Sequence, residues 1–553
     1  MSGQTHGSSE ELTALKSNVD VVVVGAGFAG LYMLYRLRGL GLQVQVIEAG
    51  SDVGGTWFWN RYPGARCDVE SMEYSYSFSE ELQQEWDWTE RYATQPEILK
   101  YINHVADRFD LRRDVQFNTR VSSAVFDEAA SRWTVTTENG EVVNPQFCVM
   151  ATGCLSAAKP PEIKGRELFK GESYHTGLWP HAPVDFTGKT VGVIGTGSSG
   201  IQTIPEVAKQ ARHLFVFQRT PAFSLPAGNR PLEKAEVQGI KQNYVDLRKR
   251  ARVSPTGMAS DPLPNQSALK ATPKEREVAY EFRWQEGGTA FTRTYKDIML
   301  VAESNDTAAD FARRKIQLRV SDPKVAEKLT PRDIHIGTKR LCLDTEYFET
   351  FNRGNVSLVD IRSTPIEEIT ETGVKTCDAE YKLDALIYAT GFDAITGAIL
   401  NIDIRTSSGL TLAEKWRAGP LTYLGLMTAE FPNLFMMTGP GSPSVLSNVI
   451  VSIEQHVEWI SDCIQHLTAN AFPQIEATQT AENNWVAHVN QLANTTLFPN
   501  ANSWYLSANV PGKPRVFMPY VGGVGRYREE CTAVANNGYA GFDIKKLSSA
   551  KIR

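Results

Sequence analysis

The sequence predicts an α/β protein of two doubly wound, Rossmann-like nucleotide-binding domains, with a mostly helical insertion in the second. Three observations carry this prediction. A glycine-rich turn, GAGFAG from Gly25, lies inside a strand, turn, helix, strand pattern; a second, GTGSSG from Gly195, recurs in the same context 170 residues later. Two apolar runs also end alike, in Ala151-Thr152-Gly153 and in Ala389-Thr390-Gly391, as two crossings between paired domains would.

The first unit runs from Val19 to Glu48 as VDVVVV, GAGFAG, LYMLYRLRGLG and LQVQVIE. Its uncharged part, Val21 to Tyr35, is too short and too glycine-rich for a membrane span and is followed by Arg36, so it reads as a buried strand feeding a helix. The second unit opens at Thr190 with TVGVIG, continues through GTGSSG and the helical IQTIPEVAKQA, and reaches HLFVFQ. Between Pro226 and Arg332 the texture becomes charged and helix-forming, with the start signal Ser321-Asp322-Pro323, where Asp caps and Pro occupies the first turn. A strand-like run returns at Leu383 to Tyr388, after which the chain must rejoin the first domain. The expected boundaries are residues 1–152 plus 390–553 for the first domain, 153–225 plus 333–389 for the second, and 226–332 for the insertion.

Composition bounds the partners. The chain has 553 residues, 42% hydrophobic and 22% charged, with a formal net charge of -6, which gives no electrostatic reason to expect nucleic acid or an anionic membrane. Its polar, acidic N-terminus lacks the basic start and apolar run of a signal peptide, so the expected location is cytoplasmic. The seven Cys (67, 148, 154, 342, 377, 463 and 531) are odd in number, scattered and without a C-x-x-C pair. They support neither a disulfide framework nor a metal site, and the plain reading is free buried thiols in a reducing compartment.

In GAGFAG, Gly25 permits the tight turn, Gly27 lets the backbone approach a pyrophosphate, and Gly30 allows close packing of helix on strand. The helix N-terminus supplies N–H donors and positive dipole to the phosphates. Glu48, 18 residues past Gly30 at the end of the next strand, places a carboxylate where it accepts ribose hydroxyls. The second copy, Gly195, Gly197 and Gly200, has Arg219 and Thr220 at the corresponding strand end and no acid. A guanidinium there suits a 2′-phosphate, so this site reads as one for NADPH, the plain alternative being a solvated arginine. Two such sites in one chain imply FAD on the first unit taking electrons from a nicotinamide on the second. A disulfide reductase would need a redox dithiol beside the flavin, and no suitable pair exists, so oxygen becomes the leading electron acceptor.

Two further stretches are Gly54 to Asp68, GGTWFWNRYPGARCD, and Phe169-x-Gly171-x-x-x-His175-x-x-x-Trp179-Pro180. By chemistry alone, His175 is either a hinge residue or a satisfied core histidine, and the aromatic cluster at 57, 59 and 62 is equally compatible with plain core. Both stretches, however, resemble the fingerprints of Baeyer-Villiger monooxygenases, class B flavoprotein oxygenases. RYPGARCDVES, YATQPEIL, GVIGTGSSGIQ, FVFQRTP, GTKRL, ATGFDA, GPGSPSVLSN and ANVPGKPRVFMPYVGG fall in order along nearly the whole chain, and look closest to the phenylacetone and steroid monooxygenase branch.

This resemblance implies an FAD- and NADPH-dependent enzyme that inserts one atom of O2 beside a ketone carbonyl, giving an ester or lactone. Aryl, cyclic or steroid-like ketones are the expected substrates, and sulfoxidation a side activity. The histidine fingerprint alone also admits N- or S-oxygenating relatives. Arg340 in GTKRL is implied as the active-site arginine that stabilises negative charge on oxygen, with Asp68 orienting it. Lys339 is implied to help Arg219 at the 2′-phosphate, and Trp504 to sit in a loop folding over the nicotinamide. Gly55, Thr56, Trp57, Asp68 and Tyr74 join the FAD site, and Ser198 and Ser199 the NADP+ site. His175, Trp179 and Gln202 support domain arrangement and cofactor cycling. Ser442, Val445, Leu446 and Val449 are expected around the substrate pocket. For assembly the expectation is a monomer or weak homo-oligomer.

Overall fold

A computed structural model describes residues 17–259 and 264–546. The first sheet is centred on Asn18–Val24, which pairs in parallel with Val44–Ile47 on one side and Val142–Met150 on the other. Val21 to Val23 are wholly buried, because a central parallel strand is covered on both faces. The sheet continues through Arg132–Thr137 and Val121–Asp127 as an antiparallel meander, which the glycine-rich pattern alone did not announce. The second sheet is parallel throughout, in the order Val356–Asp360, His213–Gln218, Thr190–Ile194, Ala385–Tyr388 and Glu172–His175.

Each glycine-rich turn is backed by one of the two similar strand endings. Gly25 has φ +106° and its missing Cβ would lie 2.5 Å from the carbonyl oxygen of Ala151; Gly195 has φ +111° and its Cβ would lie 2.4 Å from that of Ala389. The repeated Ala-Thr-Gly is thus the wall against which each turn is pressed, and only glycine fits the space and the dihedral together.

The chain rejoins the first sheet after the second crossing. Leu434–Met436 pairs with Val142–Met150, and Asp403–Arg405 with Val121–Asp127. The long helix Val449–Ala469 then packs on Phe28–Gly39. Within 226–332 the structure is mostly helical, with Lys234–Gln242, Tyr244–Val253, Pro273–Glu286, Ala302–Arg319 and Pro323–Leu329. The last begins as its start signal predicts, Asp322 Oδ1 accepting from Lys324 N at 2.8 Å. A three-stranded antiparallel sheet, Ile366–Thr370, Gly373–Thr376 and Glu380–Lys382, precedes the second crossing. The cysteine expectation needs one correction: five thiols are buried, but Cys154 is partly exposed and Cys377 lies on the surface, where a polar hairpin leaves it uncovered.

Candidate active site

A continuous cavity of about 1260 Å³ runs between the two glycine-rich turns at the carboxyl ends of both sheets, where doubly wound folds bind ligands. Gly25, Gly27, Glu48, Gly55, Thr56, Trp57, Asp68 and Tyr74 line one end. Gly195, Gly197, Ser198, Ser199, Gln202, Arg219, Thr220 and Lys339 line the other, and Arg340, Val445, Val449 and Trp504 also border it.

The helices Phe28–Gly39 and Ser198–Gln210 both start at a glycine, have no side-chain cap and carry no acid in the first turn. Their first N–H groups therefore face the cavity without an acceptor from a capping side chain, a fit for phosphate oxygens. A Cβ on Gly27 would come within 3.3 Å of Gly55 Cα, whereas one on Gly197 would meet nothing within 4 Å, leaving that backbone open to a ligand. Gly30 and Gly200 serve packing instead, their absent Cβ atoms falling 1.8 and 2.3 Å from the carbonyl oxygens of Gly25 and Gly195. Glu48 is pinned at its strand end, Oε2 accepting from Ala26 N at 2.6 Å and Oε1 from Gly50 N at 2.7 Å. Each oxygen keeps a second lone pair, which suits the ribose hydroxyls of a dinucleotide. Trp57 donates from Nε1 to Tyr74 Oη at 3.1 Å, which orders that wall.

At the other end Arg219 is exposed at its strand end, and Lys339 is partly buried. Burial, and then the nearby Arg219, pulls the Lys339 ammonium below its ordinary range. Two cations sharing one pocket wall is the arrangement a doubly charged phosphate relieves. Ser198 Oγ accepts from the Cys342 thiol at 3.1 Å, and Ser199 Oγ lies 3.2 Å from Thr176 Oγ1.

Between the two ends Arg340 meets Asp68 as a fork: Nε to Oδ2 at 3.0 Å, Nη2 to Oδ1 at 2.5 Å and to Oδ2 at 2.7 Å. Nη1 donates to the carbonyl of Val445 at 2.7 Å. Asp68 raises the guanidinium pKa against the opposing effect of burial, so the group stays cationic. The two residues are 272 positions apart, and no spacing argument joins them.

The fingerprint around Tyr62 docks one domain on the other. Tyr62 Oη donates to Gln202 Oε1 at 2.9 Å, Gln202 Nε2 donates to Arg66 O at 3.0 Å, and a Cβ on Gly64 would lie 2.3 Å from Gln202 O. His175 is buried off the cavity, its Nδ1 accepting from Gly177 N at 3.0 Å, with Nε2 3.2 Å from both Lys159 O and Thr390 Oγ1. Burial lowers its pKa, so it is a neutral, satisfied histidine that ties the two crossings together. The plain description, a satisfied histidine, is the one these contacts show. Trp179 is likewise off the cavity, stacked on Tyr174 with ring centroids 5.1 Å apart.

Two of the four expected substrate-pocket side chains are not on the cavity wall. Ser442 is fully buried with Oγ donating to Gly439 O at 2.7 Å, and Leu446 packs with the cluster of Ala394, Tyr505 and Phe517. Val445 and Val449 remain on the wall. Sequence reasoning missed Lys159, Cys154, Met437 and Thr438, which also line the cavity. The only sequence signal, for Lys159 and Cys154, was position after the first Ala-Thr-Gly ending.

A family model described as pyridine nucleotide-disulphide oxidoreductase matches residues 22–254. A 2-oxo-Δ3-4,5,5-trimethylcyclopentenylacetyl-CoA monooxygenase of Pseudomonas putida is 44% identical over 95% of this chain and 98% of its own. A cyclohexanone 1,2-monooxygenase of an Acinetobacter species is 43% identical over 96% and 97%. Among solved structures, an oxidised steroid monooxygenase bound to NADP is 54% identical, with TM-score 0.91, over 96% of this chain and 99% of that one. A protein of Pseudooceanicola batsensis named simply Baeyer-Villiger monooxygenase is 43% identical over 98% of this chain and 99% of its own.

The chain belongs to the Baeyer-Villiger monooxygenases.

The family assignment also settles how the broader match should be read. The pyridine nucleotide-disulphide oxidoreductase model spans both glycine-rich turns, but the cysteines of the described residues are all free, and the sequence holds no C-x-x-C pair. What this Baeyer-Villiger monooxygenase shares with that wider group is the pair of nucleotide folds, with a charged Arg340 and Asp68 fork at their junction in place of a dithiol.

Proposed function

We propose that this Baeyer-Villiger monooxygenase uses FAD, NADPH and O2 to convert a ketone to an ester or lactone, and that Arg340, oriented by Asp68, is its catalytic cation. The overall balance is ketone plus NADPH, a proton and O2 giving ester, NADP+ and water. Bound there, FAD would supply the redox chemistry that links hydride transfer from NADPH to reduction of O2. Gly25, Gly27, Glu48, Gly55, Thr56, Trp57 and Tyr74 are the residues to hold it. Gly195, Gly197, Ser198, Ser199, Arg219, Thr220 and Lys339 are those to hold the nicotinamide dinucleotide, with Trp504 closing over it.

The observation that carries the reading is the Arg340 fork. A guanidinium fixed by a carboxylate and a carbonyl, on the wall of a cavity shared by two nucleotide sites, is preorganised to stabilise negative charge on oxygen. Its charge is present at all working pH values, whereas a histidine in its place would titrate away. The apolar Val445 and Val449, with Met437 and Thr438, line the same cavity as that charge. Cyclic, aryl or steroid-like ketones are the substrates we favour, and the names of the relatives support this: cyclohexanone, cyclopentanone and steroid monooxygenases. A monomer or weak homo-oligomer in the cytoplasm fits the free thiols and the charge balance. Among the described residues no helix is long and apolar enough to cross a membrane.

One relative favours a second reading: a phenazine N-monooxygenase of Lysobacter antibioticus is 43% identical over 97% of this chain. Replacing Arg340 with Ala separates the two. Loss of ester formation with NADPH-dependent flavin reduction retained supports the first, and undiminished oxygenation of ketones in that variant refutes it. N-oxide from aromatic amines without any ketone turnover in the wild type would establish the second.

A further inference from the structure

The buried face of the insertion helix Ala302–Arg319 is mostly small and apolar, with Ala308, Ala309, Phe311, Ala312 and Ile316. Asn305 stands on the same face, wholly buried, where an amide must find partners for its donors and its acceptor. It finds them on the backbone. Nδ2 donates to Ile336 O and to Ile298 O, both at 2.9 Å, and Oδ1 accepts from Ile336 N at 2.9 Å. The two bonds to Ile336 copy a strand pairing in which one partner is a side chain. At the far end of the helix Arg319 donates from Nη2 to Asp344 Oδ1 and from Nε to Glu349 Oε1, both at 2.6 Å. The Asp344 side chain is wholly buried and also accepts from Ser224 Oγ at 2.7 Å. It ends the strand Cys342–Asp344, which pairs in parallel with Ser224–Pro226.

The stretch held between these two contacts is the one that carries the site. Lys339, Arg340 and Cys342 lie between Ile336 and Asp344 and border the cavity, whereas among the described residues none of Ala302–Arg319 does. Asn305 and Arg319 are 14 residues apart on one helix, a stiff span of about 21 Å. The chain from Ile336 to Asp344 reaches at most about 29 Å when fully extended. A turn closed by Thr338 Oγ1 on His335 O at 2.7 Å takes up part of that reach. Little slack is left, so the place of the helix sets where both basic side chains enter the cavity.

We propose that Asn305 is a positioning residue that, with Arg319 at the other end of its helix, holds segment 336–344 so that Lys339 meets the 2′-phosphate and Arg340 the reacting oxygen. The inference rests on the reading of those two cations given above. A helix that borders neither ligand site then governs nucleotide choice and oxygen transfer together, and one loosened contact disturbs both. The sensitivity is high because a displacement of about 1 Å in a reacting group can cost about 100-fold.

The test is Asn305→Ala in the flavin-loaded enzyme, which favours the helix and removes all three bonds, with Arg319→Lys alongside, which keeps a cation but cannot fork Asp344 and Glu349. In Asn305→Ala the NADPH KM should rise about five- to tenfold while the NADH KM stays within about twofold. Ester formed per NADPH oxidised should fall about tenfold, with hydrogen peroxide making up the balance and anaerobic flavin reduction at saturating NADPH within about twofold. Arg319→Lys should move both ratios in the same direction by about threefold. A purely structural role would lower melting temperature and flavin content and leave both ratios of the flavin-loaded protein at wild-type values. That result in Asn305→Ala overturns the proposal; if this variant cannot be purified with flavin, the same result in Arg319→Lys overturns it. Full ester formation in Arg340→Ala, run beside them, overturns the reading of Arg340 instead, and the ratio of the two KM values still reports the brace through Lys339.

Discussion

Arg219 offers a quantitative test of how the second nucleotide site chooses its ligand. Its guanidinium is exposed at the end of His213–Gln218, beside the partly buried Lys339 and with no carboxylate at the position where Glu48 stands in the first unit. Against a 2′-phosphate it contributes a charge-assisted contact, at the low end of the usual range because solvent screens it: about 1.5 to 2 kcal/mol. Replacing Arg219 with Ala should therefore raise the NADPH KM about 10- to 30-fold. NADH carries a hydroxyl in place of the phosphate and should change less than about twofold. Steady-state oxidation of the two nucleotides with a saturating ketone reads the ratio, and wild-type NADPH KM should also rise with ionic strength. Removing Lys339 as well should cost about a further tenfold on NADPH only. Equal losses on both nucleotides would refute the reasoning, because they would place Arg219 on the shared part of the cofactor or in the fold.

Three further outcomes follow from other parts of the molecule. Asp68→Asn keeps the size of the side chain but removes the charge that holds the Arg340 fork; ester formation should fall about 30-fold, close to 2 kcal/mol, with anaerobic flavin reduction by NADPH little changed. In Gly30→Ala the new methyl would lie 1.8 Å from Gly25 O, so helix and strand must part; about 1 to 3 kcal/mol of stability should be lost, and flavin retained per protein after gel filtration should drop. His456 is wholly buried, and burial, then Arg528, lowers its pKa from 6.5 to about 3. Its folded form refuses a proton that the unfolded chain accepts, so its contribution is intact above pH 6.5 and is lost as pH falls toward about 3. At pH 5 that loss is about 2 kcal/mol. His456→Asn keeps an acceptor for Thr438 N, and urea unfolding at pH 5 and 7.5 should show a smaller acid loss than in the wild type; an unchanged loss would reject the assignment.

Legibility divided along lines of sequence separation. The two glycine-rich units were readable because strand, turn and helix are consecutive, and the repeated Ala-Thr-Gly proved to be the surface each turn presses on. The fork of Arg340 and Asp68 was not readable from spacing. Its partners sit 272 residues apart, and only the resemblance of GTKRL and RYPGARCD to a family joined them. Contacts made by backbone carbonyls, such as Arg340 to Val445 O and Lys159 to Asn509 O, leave no trace in residue identity. On the loop before the helix Val449–Ala469, Val445 and Val449 line the cavity while Ser442 and Leu446 do not, a division that spacing along one loop does not announce.

The account stands or falls on oxygen transfer to a ketone under control of Arg340. Flavin-loaded wild type and Arg340→Ala should be given NADPH, isotopically labelled O2 and a panel of cyclic, aryl and steroid ketones, with products analysed by mass spectrometry. The account predicts an ester or lactone carrying one labelled oxygen atom from the wild type, and none from Arg340→Ala although it still reduces its flavin. Labelled ester from Arg340→Ala at the wild-type rate, or hydrogen peroxide alone from the wild type across the whole panel, would contradict it.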